Sequence, residues 1–102
     1  GWIAYGLKSK GAVYLDDGAV KALTTQGKSL LPSGIIKVEG HFDIGDAVSC
    51  ISKDGEKVAK GLTNYSSQDI DLIKGKKTSE IEKVLGYKYS DEVIHRDNLA
   101  VV

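Results

Sequence analysis

Twelve glycines and a single proline break this chain of 102 residues at short intervals, a glycine content well above the roughly 7% of average proteins. Interior glycine costs a helix about 1 kcal/mol relative to alanine, so the pattern predicts short strands and brief helices joined by turns. The fold class expected is mainly β with short helices. A length of 102 residues suits one core rather than two. With 41% apolar and 27% charged residues, the chain reads as a soluble globular domain, neither disordered nor fibrous. The longest apolar runs are too short to cross a bilayer, so no membrane partner is expected.

Local signals place the elements. Ala12 to Leu15 is a brief β-prone run, after which Asp16-Asp17 offers a cap and negative charge to a first helix. Ala19, Val20 and Leu23 form the apolar stripe of that helix, and Gly27 stops it. Pro32-Ser33-Gly34 reads as a turn before a strand from Ile35 to Glu39, in which Ile36 and Val38 alternate with Lys37 and Glu39. Gly40 to Asp46 is a polar loop anchored by Phe42 and Ile44. Asp54-Gly55 is the sharpest signal, since it supplies the positive φ of a tight turn and so pairs Ala47 to Ser52 antiparallel with Lys57 to Asn64. Ser66-x-x-Asp69 approximates a capping box for a helix that presents Ile70 and Ile73 before Gly75. Thr78 or Ser79 is expected to cap Glu80 to Leu85, with Ile81, Val84 and Leu85 as its stripe and Gly86 at its end. Val93 to His95 and Leu99 to Val102 are expected strands around the turn Arg96-Asp97-Asn98.

Fourteen Lys and Arg balance fourteen Asp and Glu, which argues against a dominant role on nucleic acid or anionic membranes, where a strong basic excess is expected. The charge is uneven, however: residues 1–38 carry a net +3 and residues 39–73 a net −4, leaving room for a local basic face. Cys50 is the single cysteine and, lying mid-strand, is expected to be a buried, inert thiol that suits a reducing cytoplasm. The chain has no methionine and begins Gly1-Trp2-Ile3, from which a piece of a longer polypeptide is expected.

Several motifs approach known chemistry and fall short. Ala22 to Ser29 nearly matches the phosphate-binding G-x-x-x-x-G-K-[ST] loop, but that loop works between a strand and a helix N-terminus. Here a helix precedes it and Leu30-Leu31-Pro32 follows. His95-Arg96-Asp97 mimics a protein-kinase catalytic loop, but the fifth residue after the aspartate is Val102 rather than the required Asn. Asn64-Tyr65-Ser66 fits a glycosylation sequon that is idle in a cytoplasmic protein. His41, Asp43 and Asp46, or His95 with Asp97, lack zinc or calcium spacing, and no nucleophile has an evident base and orienting partner. No catalytic or metal residues are therefore assigned. The remaining candidate is a binding face of Lys21, Lys28, Ser29, Leu31 and Ser33, with lysines to neutralise phosphates and hydroxyls to bond phosphate or sugar oxygens. An ordinary solvated helix end accounts for the same residues.

The order of motifs resembles the C-terminal part of bacterial glutamate 5-kinases over nearly the whole chain. The resemblance rests on Trp2-Ile3, Asp16-Asp17-Gly18-Ala19-Val20, Gly27-Lys28-Ser29-Leu30-Leu31-Pro32-Ser33-Gly34-Ile35 and Val38-Glu39-Gly40. It extends through Asn64-Tyr65-Ser66-Ser67, Leu85-Gly86-Tyr87 and Glu92 to Leu99. It implies one PUA domain over residues 1–102, a PUA-like β pseudo-barrel with short helices, from which the N-terminal amino acid kinase domain is missing. In that family the parent enzyme uses ATP and magnesium to phosphorylate the side-chain carboxylate of L-glutamate, the first step of proline biosynthesis, and proline feeds back on it. The resemblance implies a cytoplasmic, homo-oligomeric parent, a noncatalytic domain with a regulatory or positioning role, and the kinase domain as its partner. It places no cofactor in this chain. The alternative it carries is an RNA-binding module for structured RNA, because PUA domains elsewhere bind RNA with the region matching Lys21, Lys28, Ser29, Leu31 and Ser33.

Overall fold

The structure is a computed structural model that describes residues 6–102; Trp2 and Ile3, which contribute to the resemblance, lie outside the described residues. Five strands, β1 (Gly11–Leu15), β2 (Ile35–Gly40), β3 (Ala47–Ser52), β4 (Lys57–Leu62) and β5 (Leu99–Val101), form one sheet in the order β2-β1-β3-β4-β5. β1 runs parallel to β3 and antiparallel to β2, while β3–β4 and β4–β5 are antiparallel. A parallel pair cannot be closed by a tight turn. The connection from β1 to β3 therefore carries a helix, α1 (Asp17–Thr25), a 3-10 turn (Pro32–Gly34) and β2. Two shorter helices, α2 (Ser67–Ile73) and α3 (Ile81–Leu85), follow β4. The mainly β architecture with short helices is thus the one expected.

The core follows from strand and helix periodicity. Val13 and Leu15 of β1 are fully buried while Tyr14 between them is partly exposed, as the alternation of a strand requires. The central strand β3 is covered on both faces, and its first four residues, Ala47, Val48, Ser49 and Cys50, are all buried. Small and branched side chains fit that position, and the Ser49 hydroxyl is paired with that of Ser9 at 2.8 Å. Leu23 of α1, Ile70 and Ile73 of α2 and Ile81 of α3 complete the cluster with Leu30, Tyr65, Val93, Ile94 and Leu99. Asp54-Gly55 makes the expected hairpin, with Gly55 at φ 89° and the Ser52 N–H donating to Glu56 O at 2.8 Å.

Five local expectations are corrected. The β1–β2 register runs Tyr14↔Lys37 and then Leu15↔Ile35, so the bulge skips Ile36. Ile35 is consequently buried and Ile36 is 49% exposed. Phe42 anchors its loop, but Ile44 does not: Asp46 accepts from the Asp43 N–H and Asp43 from the Ile44 N–H, closing a turn that leaves the Ile44 side chain exposed. Neither Thr78 nor Ser79 caps α3. Residues Thr78–Glu80 form a 3-10 turn whose Glu80 carboxylate accepts from the Lys77 N–H at 3.0 Å, and the Thr78 hydroxyl reaches Asp91 O instead. Val84, expected in the stripe of α3, is exposed because a helix this short turns only Ile81 fully inward. Val93 to His95 is no strand: it forms a single antiparallel bridge between Leu30 and Ile94, and a 3-10 turn (Arg96–Asn98) then leads into β5.

Candidate functional site

A groove opens where α1 begins. Asp16 caps the helix by accepting from the Ala19 N–H at 2.8 Å, and its own N–H donates to Gly34 O at 3.0 Å. Those two bonds clamp the Pro32–Gly34 turn onto the first turn of α1. The approach is close enough that a Cβ built on Gly34 would lie 2.5 Å from the Ala19 Cβ. Between the helix and the segment after it lies a depression of about 490 Å³ with Gly18, Ala19 and Ala22 on one wall. Lys28, Ser29, Leu31 and Ser33 form the other wall, and Glu92 closes one side.

Four of the five predicted residues therefore share one groove, and Lys21 does not. A helix turns by about 100° per residue, so Lys21 lies about 110° round α1 from the centre of the face carrying residues 18, 19 and 22. Lys21 instead borders a separate depression with Asp17, Thr25, Asp54 and Glu56. Sequence reasoning missed Glu92, because nothing in the local pattern links it to a helix more than sixty residues earlier. Two hydrogen bonds bring it there, Leu30 N–H to Ile94 O at 2.9 Å and Val93 N–H to Leu30 O at 2.8 Å.

The chemistry of the groove is that of a donor-rich, half-apolar surface. Lys28 is exposed, and no ion pair engages its ammonium among the described residues. Ser29 Oγ accepts from the Arg96 N–H at 2.8 Å, which leaves its own proton to donate outward. Leu31 is 42% exposed. Asp16 is committed to the cap, and among the described residues no side-chain hydrogen bond or ion pair engages the Glu92 carboxylate. Such a surface bonds oxygens of a ligand that also presents an apolar or planar face. The P-loop likeness carries no phosphate grip here, since α1 precedes Gly27 and the Leu30 bridge follows Ser29.

Cys50 and His95 lie outside this groove. Burial pushes the Cys50 thiol up to about 12, with nearby Lys57 acting weakly in the opposite sense. His95 Nδ1 accepts from the Asp97 N–H at 3.1 Å, a local cap. Among the described residues, no three His, Cys, Asp or Glu gather where they could hold a metal ion. Nor is any described helix long and apolar enough to cross a membrane.

Comparison with known proteins adds to this geometry. The family model for the PUA domain matches residues 11–85. Glutamate 5-kinase of Caldanaerobacter subterraneus subsp. tengcongensis is 56% identical over 99% of this chain, and that of Syntrophus aciditrophicus is 58% identical over 99%. The chain spans only about a quarter of those relatives, 27% and 26% of their respective lengths. Among solved structures, a PUA domain from Aeropyrum pernix superposes with a TM-score of 0.62 at 25% identity, covering 84% of this chain and 41% of that one. An H/ACA ribonucleoprotein bound to a substrate RNA containing 2'-deoxyuridine superposes with a TM-score of 0.59 at 25% identity, covering 83% of this chain and 22% of that one.

Proposed function

The chain belongs to the PUA-domain family, and from that premise we propose that it serves as the noncatalytic C-terminal module of a glutamate 5-kinase, acting on the kinase domain by position or regulation. The observation that carries this is the 52–58% identity to glutamate 5-kinases over 98–99% of the chain. In this reading, ATP, magnesium and L-glutamate are handled by the kinase domain in the cytoplasm, and the residues described here take no part in moving phosphoryl. The parent is a homo-oligomer.

The test compares three proteins for ATP-dependent phosphorylation of L-glutamate: this chain, the longer kinase, and the kinase lacking the segment that matches this chain. The chain alone should show no turnover. The shortened kinase should retain catalysis while its response to L-proline or its oligomeric state changes. Turnover by the isolated chain, or a shortened kinase indistinguishable from the whole in all three readouts, would overturn the assignment.

A second reading is that Lys28, Ser29, Leu31 and Ser33 contact structured RNA. It is favoured by the likeness to an H/ACA ribonucleoprotein bound to a substrate RNA and by the donor-rich groove. Affinity for a structured RNA should then fall as salt rises, because lysine contacts release phosphate counterions. Absence of binding at low salt removes it.

A further inference from the structure

The match to the PUA family ends at residue 85, whereas the likeness to glutamate 5-kinases covers 99% of the chain and so runs on through the tail. The first part of that tail, Gly86 to Glu92, carries two exposed aromatic side chains, Tyr87 at 41% and Tyr89 at 61%. Both rings pack on Tyr65, which is fully buried, with centroids 6.3 and 6.4 Å from it. The backbone beneath them is pinned. Tyr65 Oη accepts from the Ser90 N–H at 2.9 Å and donates to the Ser90 carbonyl. The Asn64 side-chain amide donates to Ser90 Oγ and to Glu92 O, each at 3.1 Å. Tyr87 is fixed at its tip by Asp69, and Lys88 is paired with Asp91 at 3.0 Å. Among the described residues no hydrogen bond engages the Tyr89 hydroxyl. A lone exposed aromatic calls for no partner, but here two of them are seated on one buried ring while Lys88 and Asp91 neutralise each other beside them. The result is a rigid aromatic face. Tyrosine offers a large contact area with few rotatable bonds, so little entropy is lost when a partner covers it.

We infer that Tyr87 and Tyr89 form the surface by which this chain docks onto the kinase domain of the longer polypeptide, with Tyr89 as the anchor. The inference rests on the kinase-module reading above and gives that reading a contact. Two observations select this occupant. The segment that carries the tyrosines lies beyond the PUA match but within the likeness to the kinases. The chain also spans only 26–27% of those relatives, so most of such a polypeptide is available to cover the face. The complementary surface on the kinase domain is expected to be poor in charge, with an apolar recess for the Tyr89 ring and a polar group for its hydroxyl.

The experiment follows amide hydrogen exchange of residues 86–91 by mass spectrometry, in this chain and in the longer kinase. Exchange in the kinase should be slower by about ten-fold or more, because docking opposes local opening. Tyr89→Ala in the kinase should return the segment to the rate of this chain. Tyr89→Lys, which brings a charge to the face without emptying the space beside Tyr65, should do the same. Val102→Ser is the control. Val102 is 62% exposed but lies toward the opposite end of β4, where its N–H donates to Val58 O at 3.1 Å, so this substitution should leave the protection in place. All three variants of this chain should melt like the parent. Equal exchange in the chain and the kinase would mean the face is uncovered, and protection that survives both Tyr89 variants would mean another surface docks; either overturns the inference. Slowing that appears in this chain alone as its concentration rises would assign the face to a second copy, and the inference fails. The module reading is decided separately by the deletion test above, so the two failures are told apart.

Discussion

Gly34 and Ala19 meet so closely that a methyl group on the glycine would sit 2.5 Å from the alanine Cβ. The contact sets the width of the groove, since Gly34 O also accepts from the Asp16 N–H. Gly34→Ala forces the turn away from α1 and should cost about 1 to 3 kcal/mol as overpacking. Gly18→Ala is the matched control: its added Cβ meets nothing nearer than Asp16 Oδ1 at 3.5 Å, and it lies in a helix, so stability should hold or rise by up to about 1 kcal/mol. Urea denaturation of the two variants separates them, and equal stabilities would refute the close-contact account.

Asp16 closes the N-terminus of α1 through the Ala19 N–H. Asp16→Ala should lose about 0.5 to 2 kcal/mol, whereas Asp16→Asn, which still caps, should lose much less. Chemical denaturation of both is the check, with equal losses pointing to a role for the charge rather than the cap.

The Cys50 thiol, raised by burial from 9.0 to about 12, makes stability depend on alkaline pH. The folded state keeps its proton where the unfolded chain has released it. The contribution is therefore complete below about pH 9 and declines as pH rises toward 12. Cys50→Ala should flatten that part of the stability profile. In the native protein at neutral pH, thiol reagents should modify Cys50 only as fast as the chain opens; rapid modification without unfolding would contradict its burial.

Tyr87 donates its hydroxyl proton to the Asp69 carboxylate, and with some burial this raises the phenol to about 12. Asp69 is the residue expected to complete a capping box. The Ser66 hydroxyl does accept from the Asp69 N–H at 3.2 Å, while the carboxylate turns to Tyr87. Ultraviolet titration should show one tyrosine ionising near pH 12, which Asp69→Asn shifts downward and Tyr87→Phe deletes. Because Tyr87 is 41% exposed, the accompanying change in stability should stay below about 1 kcal/mol.

What the sequence alone determined is everything settled within a few residues of chain. The Asp16 and Ser66 caps, the Asp54-Gly55 hairpin and the ends of the helices at glycines each depend on a bond or dihedral that neighbouring residues define. The order of the same residues also carried the family resemblance. Tertiary structure alone decided which side Ile36 faces, because one skipped residue opposite Leu15 reverses the alternation. It separated Lys21 from Lys28 and brought Glu92 to the groove. It also set Arg96 against Ser29 across 67 residues and Gly75 against Pro32. Contacts of that kind leave no periodicity or spacing to read, since they arise only once burial of a shared core has closed the intervening loops.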